Sequence, residues 1–221
     1  MSKITYNMVR QSTEIRTYIE QADASLSAMG FTEHSFAHVE RAAQVSSQLL
    51  ADLGYSEREV ELARIAGFMH DIGNVVNRID HAQSGAIMAF RILDKMGMEP
   101  ADTALVVTAI GNHDEHTAFP VNPVSAALIL ADKTDVRRSR VRNKPHSAFD
   151  IHDRVNYSVT ESRVELDVEK REFTEILTLD TKICPVLEYF EIFMERMLLC
   201  QKAADHLNLK FRLRVNGQNI L

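Results

Sequence analysis

From its start to about residue 144 the chain spaces its apolar residues at helical intervals. Met8 to Met29 reads as one amphipathic helix closed by Gly30, because glycine readily adopts the left-handed conformation that ends a helix. A second helix covers residues 35 to 53, with Val39, Ala42, Val45, Leu49 and Leu50 on one side and Gly54 at its end. Ser56 followed by Glu59 is a capping box for a third, whose stripe of Val60, Leu62, Ile65, Ala66 and Met69 runs to about Ile72 before Gly73. A fourth helix spans roughly 81 to 96, and Pro100 opens a fifth with Leu105, Val106, Ala109 and Ile110 inward. The sixth starts near Pro123 and extends to about Arg140.

Beyond Pro145 the period changes to two. Val155, Tyr157 and Val159 alternate with polar residues, as do Val164, Leu166 and Val168, and a third run covers Phe173 to Leu179. This pattern predicts a small antiparallel meander. Cys184 to Ala204 then reads as an amphipathic helix, and Leu209 to Val215 as a last strand. The expected organisation is an all-α helical domain over residues 1–145, followed by a small α+β appendix of βββαβ order over 146–221.

Composition narrows the class. The 45% hydrophobic and 25% charged residues exclude a mostly disordered chain. A net charge of -6 gives no global attraction to nucleic acid or anionic lipid, so neither partner is expected. The longest strongly apolar stretch, Val124 to Ala131, is far too short to span a membrane, and the N-terminus lacks a signal-type apolar core. Two cysteines exclude a disulfide framework, and a cytoplasmic protein is expected.

Histidine distribution points to chemistry. Six of the nine histidines fall between residues 34 and 116. His38 continues the inward stripe of Ala42, Val45 and Leu49; His70 and Asp71 follow Ile65 and Ala66; His113 follows Val106 and Ile110; Asp132 follows Leu128 and Ile129. His81 opens the fourth helix facing Gly85 and Met88. One buried histidine is commonly a satisfied core residue, but several helices each delivering His or Asp to an apolar stripe is costly without a shared partner. Imidazole with carboxylate is the ligand set of divalent transition metals.

These residues resemble a known family. His38, the adjacent His70-Asp71 and the later Asp132 look like the H…HD…D signature of the HD-domain metal-dependent phosphohydrolases, over roughly residues 30 to 145. His81 and His113 extend the likeness to dinuclear members such as bacterial diadenosine tetraphosphate hydrolases. The resemblance implies one metal on His38, His70, Asp71 and Asp132, and a second on His81 and His113 with Asp71 bridging. Mn or Fe is the expected metal, one or two per chain. Asn74 stands where related subfamilies carry a lysine, and the appendix matches no subfamily of known function.

Two metals about 3.5–4 Å apart would activate a hydroxide for attack on a phosphate ester or anhydride. Asp71 is then the catalytic carboxylate, and His34, one turn before His38, a candidate leaving-group acid. His116 is a candidate phosphate contact, as are Lys133, Arg137 and Arg138 at the head of a basic run that continues through Arg140, Arg142 and Lys144. A small phosphorylated substrate, a nucleotide foremost, is the expected ligand. Two other classes fit the same ligands: a di-iron oxygenase, and a non-catalytic sensor whose metal is structural. Edge strands of the appendix are expected to offer a pairing surface to a second copy.

Overall fold

The computed structural model describes residues 3–115, 117–142 and 149–221. The chain folds as an all-α part followed by a small α+β unit. Seven helices come first: α1 (Tyr6–Gln11), α2 (Thr13–Ala28), α3 (Phe36–Asp52), α4 (Glu57–Met69), α5 (His81–Lys95), α6 (Pro100–Gly111) and α7 (Pro123–Lys133). A 3₁₀ turn, Ile72–Val75, links α4 to α5. The sequence predicts one helix over Met8–Met29, but Ser12 breaks it: its extended backbone ends α1 while its hydroxyl accepts from Ile15 N and caps α2. Gly30, Gly54 and Gly97 follow helix ends with positive φ.

Gly67 and Gly73 are small for a different reason. A Cβ on Gly67 would lie 2.6 Å from the backbone N and Cα of Ala43, so its absence lets α4 lie directly on α3. A Cβ on Gly73 would collide with the His81 carbonyl and the Gly85 amide, so the 3₁₀ turn sits flush against the start of α5. Both close approaches set where His38, His70, Asp71 and His81 meet.

The second part is α8 (Ile151–Ser158), β1 (Val159–Asp167), β2 (Glu172–Leu179), α9 (Val186–His206), β3 (Lys210–Val215) and β4 (Gln218–Asn219). The sheet order is β1-β2-β3-β4, with β1 and β2 antiparallel, β2 and β3 parallel, and β3 and β4 antiparallel. The expected first strand at Val155–Val159 is instead helical through Ser158, and Val159 opens β1. Asp150 and Asp153 form a capping box that starts α8 and outweighs the short alternation. The simple meander is likewise replaced, because α9 crosses over to return β3 parallel to β2. One hydrophobic cluster runs through both parts, from Val39 and Ile65 to Phe193 and Leu213. No helix among the described residues is long and apolar enough to cross a membrane.

Candidate metal centre

His38 sits in the first turns of α3, His70 at the end of α4, Asp71 just after it, His81 at the start of α5, His113 past α6 and Asp132 in the last turn of α7. All six are buried, at 8% exposure or less. Their functional atoms converge. His38 Nε2 lies 3.2 Å from His70 Nε2 and 3.2 Å from Asp132 Oδ1, and His70 Nε2 is 3.3 Å from Asp71 Oδ2. His81 Nε2 lies 3.2 Å from His113 Nε2 and 3.6 Å from Asp71 Oδ1. Asp71 thus turns one oxygen to each histidine pair.

Four hydrogen bonds fix the imidazole orientation. Nδ1 of His70 donates to Gly67 O at 2.8 Å, that of His81 to Arg78 O at 3.0 Å, and that of His113 to Ile110 O at 2.6 Å. Nδ1 of His38 donates to the Asp135 carboxylate at 2.8 Å. A carbonyl or carboxylate can only accept, so each Nδ1 carries a ring hydrogen and each Nε2 faces inward. Four Nε2 atoms and two carboxylates therefore face a common space.

The residues fit a metal. Ligands about 2.1 Å from one cation stand roughly 3–3.5 Å from each other, which is the spacing of the donor atoms here. Asp71 Oδ2 is buried without a hydrogen-bond partner and points into the cluster. Three overlapping triads, His38–His70–Asp71, His70–His113–Asp132 and Asp71–His81–His113, bring their ligand atoms within 4.8 Å of one another. The carboxylates draw positive charge to this point. Burial pulls His70 down, yet Asp71 and Asp132 outweigh it and hold its pKa at about 10. Burial dominates at His81 and His113, whose values fall.

Neighbouring residues hold the ligands in place. Asn74 Nδ2 donates to Asp71 Oδ1 at 2.8 Å and to Asp71 O at 3.0 Å. Lys133 is buried, with Nζ 2.8 Å from Asp132 Oδ2 and 3.0 Å from Glu115 Oε2. That leaves Asp132 Oδ1 for the histidine side. Arg196 of α9 donates through Nε to Glu115 Oε1 at 2.9 Å. A chain of alternating charge runs from the cluster to the second part of the molecule.

Above the cluster lies a pocket lined by His34, Arg78, Lys133, Arg140, His152 and Arg196 among others. His34 Nδ1 donates to Thr32 O at 2.8 Å, and burial together with the nearby Arg140 charge holds its pKa well below the usual histidine value. Arg137 and Arg138, expected at the substrate, do not line this pocket. Arg137 instead pairs with Asp135, and Arg138 stacks on the Tyr157 ring at 4.6 Å from its centre. Arg140 and Arg142 tie down the loop after α2 by donating to Glu33 O and Phe31 O. Most of the basic run is thus committed to protein oxygens. Lys133 lines the pocket but spends its charge on Asp132 and Glu115. His116 and Lys144 lie outside the described residues.

Sequence reasoning missed the far wall. His152 and Asn156 of α8 and Phe193 and Arg196 of α9 line the same pocket. Their types are ordinary for a helix surface, and nothing in their spacing ties them to the cluster. Asp135 was visible only as the acidic exception in the basic run, not as the residue that orients His38.

Residues 35–142, which begin at the N-cap of α3 and contain every one of the six ligand candidates, match the HD domain family model. Among solved structures, one described as a predicted HD superfamily hydrolase from an uncultured Thermotogales bacterium is similar at 26% identity and a TM-score of 0.44, covering 56% of this chain and 67% of that one. No curated protein matches the chain.

Proposed function

We propose that the protein is a metal-dependent phosphohydrolase acting on a small phosphorylated substrate such as a nucleotide. One observation carries this reading: the His/Asp cluster reaches the floor of a pocket through Asp71, His81, His113 and Asp132, and the walls of that pocket hold Arg78, Lys133, Arg140 and Arg196. A metal floor beneath cationic walls suits a phosphate, whose oxygens are met by guanidinium groups and whose phosphorus is made open to attack.

His38, His70, Asp71 and Asp132 would hold one divalent ion of the Mn or Fe kind, and Asp71, His81 and His113 a second. When bound, such an ion supplies Lewis acidity toward a phosphoryl oxygen and acidifies a coordinated water. The chain does the rest by positioning. Asn74 holds Asp71 Oδ1 in place. Lys133 neutralises the outer oxygen of Asp132. His34, with Nδ1 committed to Thr32 O and its pKa held low by burial, keeps an unprotonated Nε2 that can accept a proton from a water at the pocket. Arg78 and Arg196 both line the pocket and would orient the anion.

The test is hydrolysis of a panel of phosphomonoesters and phosphodiesters by protein reloaded with Mn or Fe, beside Asp71→Ala. Metal-dependent release of phosphate that falls at least a thousandfold in the variant is expected. Undiminished metal-dependent turnover in Asp71→Ala would overturn the reading.

A further inference from the structure

The pocket above the His/Asp cluster does not end at its own rim. Arg78, His152, Phe193 and Arg196 line both that pocket and a second chamber outside it, so these four form a neck between an inner and an outer space. Arg78 comes from the turn before α5, Phe193 and Arg196 from the middle of α9, and His152 from α8. The outer chamber is therefore built jointly by the HD domain and the second part of the chain.

The charge changes across this neck. The inner pocket sets four cations, Arg78, Lys133, Arg140 and Arg196, against four carboxylates, Asp71, Asp132, Asp150 and Asp153. Any divalent ion on the cluster makes it net positive. The outer chamber sets four carboxylates, Asp80, Asp114, Glu115 and Glu195, against only the two neck arginines. Asp80 and Glu195 are exposed at its rim, and Asp80, in the left-handed conformation at φ 57°, does not cap α5 with its side chain. Ile79 and Ile192 add apolar surface between them.

Arg196 is prepared for a role at the neck. Its guanidinium lies 4.2 Å from the centre of the Phe193 ring, and Nε is fixed by Glu115. Among the described residues its two Nη groups make no hydrogen bond, so a flat, oriented donor edge is left for a ligand. An anion held here sits between a positive floor and a negative vestibule.

We propose that the outer chamber is the subsite for the organic part of a phosphomonoester, and that its carboxylates select an uncharged or cationic, donor-bearing group while rejecting a second phosphate. This rests on the phosphohydrolase reading for the placement of the first phosphate at the cluster. A phosphate in the vestibule would meet Asp80 and Glu195, whereas hydroxyl and amino groups would donate to them.

Binding to Mn-loaded full-length protein, measured by calorimetry at low salt, separates the two ideas. Adenosine 5′-monophosphate is expected to bind at least tenfold tighter than adenosine 3′,5′-bisphosphate, which must leave one phosphate in the outer chamber whichever end enters first. In the double variant Asp80→Asn/Glu195→Gln, both substitutions being exposed and near-isosteric, that ratio is expected to shrink at least threefold. Equal or tighter binding of the bisphosphate, a ratio untouched by the double variant, or binding of neither compound would overturn the proposal. A selective protein that binds the monophosphate but never hydrolyses an ester would overturn the phosphohydrolase reading and leave the subsite standing. Hydrolysis without this selectivity would do the reverse.

Discussion

Asp135 takes the Nδ1 hydrogen of His38 at 2.8 Å, from a position three residues beyond Asp132 in the same chain segment. Arg41 Nε at 3.0 Å and Arg137 hold the Asp135 carboxylate in turn. Although burial opposes it, the His38 contact and the surrounding arginines keep that carboxyl well below the usual carboxylate range. A permanent anion behind His38 fixes its tautomer and raises the basicity of its Nε2.

Replacing Asp135 with Ala should therefore weaken metal binding without removing a ligand. Loss of such an orienting partner costs roughly 10–100-fold in metal affinity. A metal titration of wild type and Asp135→Ala in competition with a chelator measures it. An unchanged affinity would mean that His38 is oriented by packing alone.

His81→Ala should separate two metal positions. His81 and His113 face each other at 3.2 Å, and Asp71 gives one oxygen to this pair and the other to His38–His70, while His113 also lies within 4.8 Å of the ligand atoms of His70 and Asp132. Elemental analysis is expected to give close to two metals per chain in wild type and one in the variant. The same metal content in both would make His81 a bystander.

Gly67→Ala should destabilise the fold although it removes no ligand and keeps the carbonyl that accepts from His70 Nδ1. The added methyl would sit 2.6 Å from Ala43 backbone atoms and force α3 and α4 apart. Overpacking of this kind costs about 1–3 kcal/mol, which for a chain of this size lowers Tm by several degrees. Thermal denaturation checks it, and a variant as stable as wild type would show that the helix pair can shift freely.

Glu175 gives the protein a stability that declines with rising pH. It is fully buried in β2, neither carboxyl oxygen has a hydrogen bond, and burial pushes its pKa up to about 8. The unfolded chain ionises this group near pH 4.5, so between about 4.5 and 8 the folded state holds a proton that the unfolded state has released. The contribution is whole below that window and is lost as pH rises through it, with a limiting slope of about 1.4 kcal/mol per pH unit. Denaturant unfolding from pH 5 to 8 should show wild type losing stability relative to Glu175→Gln. Parallel pH profiles would show that Glu175 ionises normally.

The helices were legible because glycine and capping residues mark their ends. Gly30, Gly54 and Gly97 and the Ser56–Glu59 box do what their types require. Val155 to Val159 misled because a three-residue alternation is shared by a strand and a short half-buried helix, and Asp150 with Asp153 decides in favour of the helix. Parallel pairing of β2 with β3 leaves no mark at all on local periodicity.

The candidate ligands were legible for a chemical reason: few side chains bind a divalent metal, and each stands at an inward position on a helix or just beyond its end. The pocket wall was not, because Arg196, Phe193 and His152 reach it only through the packing of α8 and α9 against the HD domain. Arg137 and Arg138 show the converse. Their proximity in sequence to Asp132 suggested a phosphate role, but the chain turns after α7 and sends them to Asp135 and Tyr157.

The parallel pairing of β2 with β3 bears on how anything enters the site. α9 is the crossover between those strands, so both its ends are stitched into the sheet. It cannot swing aside like a hinged flap without tearing that pairing. Under the proposed function, the gateway it forms with Arg78 would be a fixed doorway, with traffic of reactant and product governed by its width and charge rather than by the timing of a closing segment.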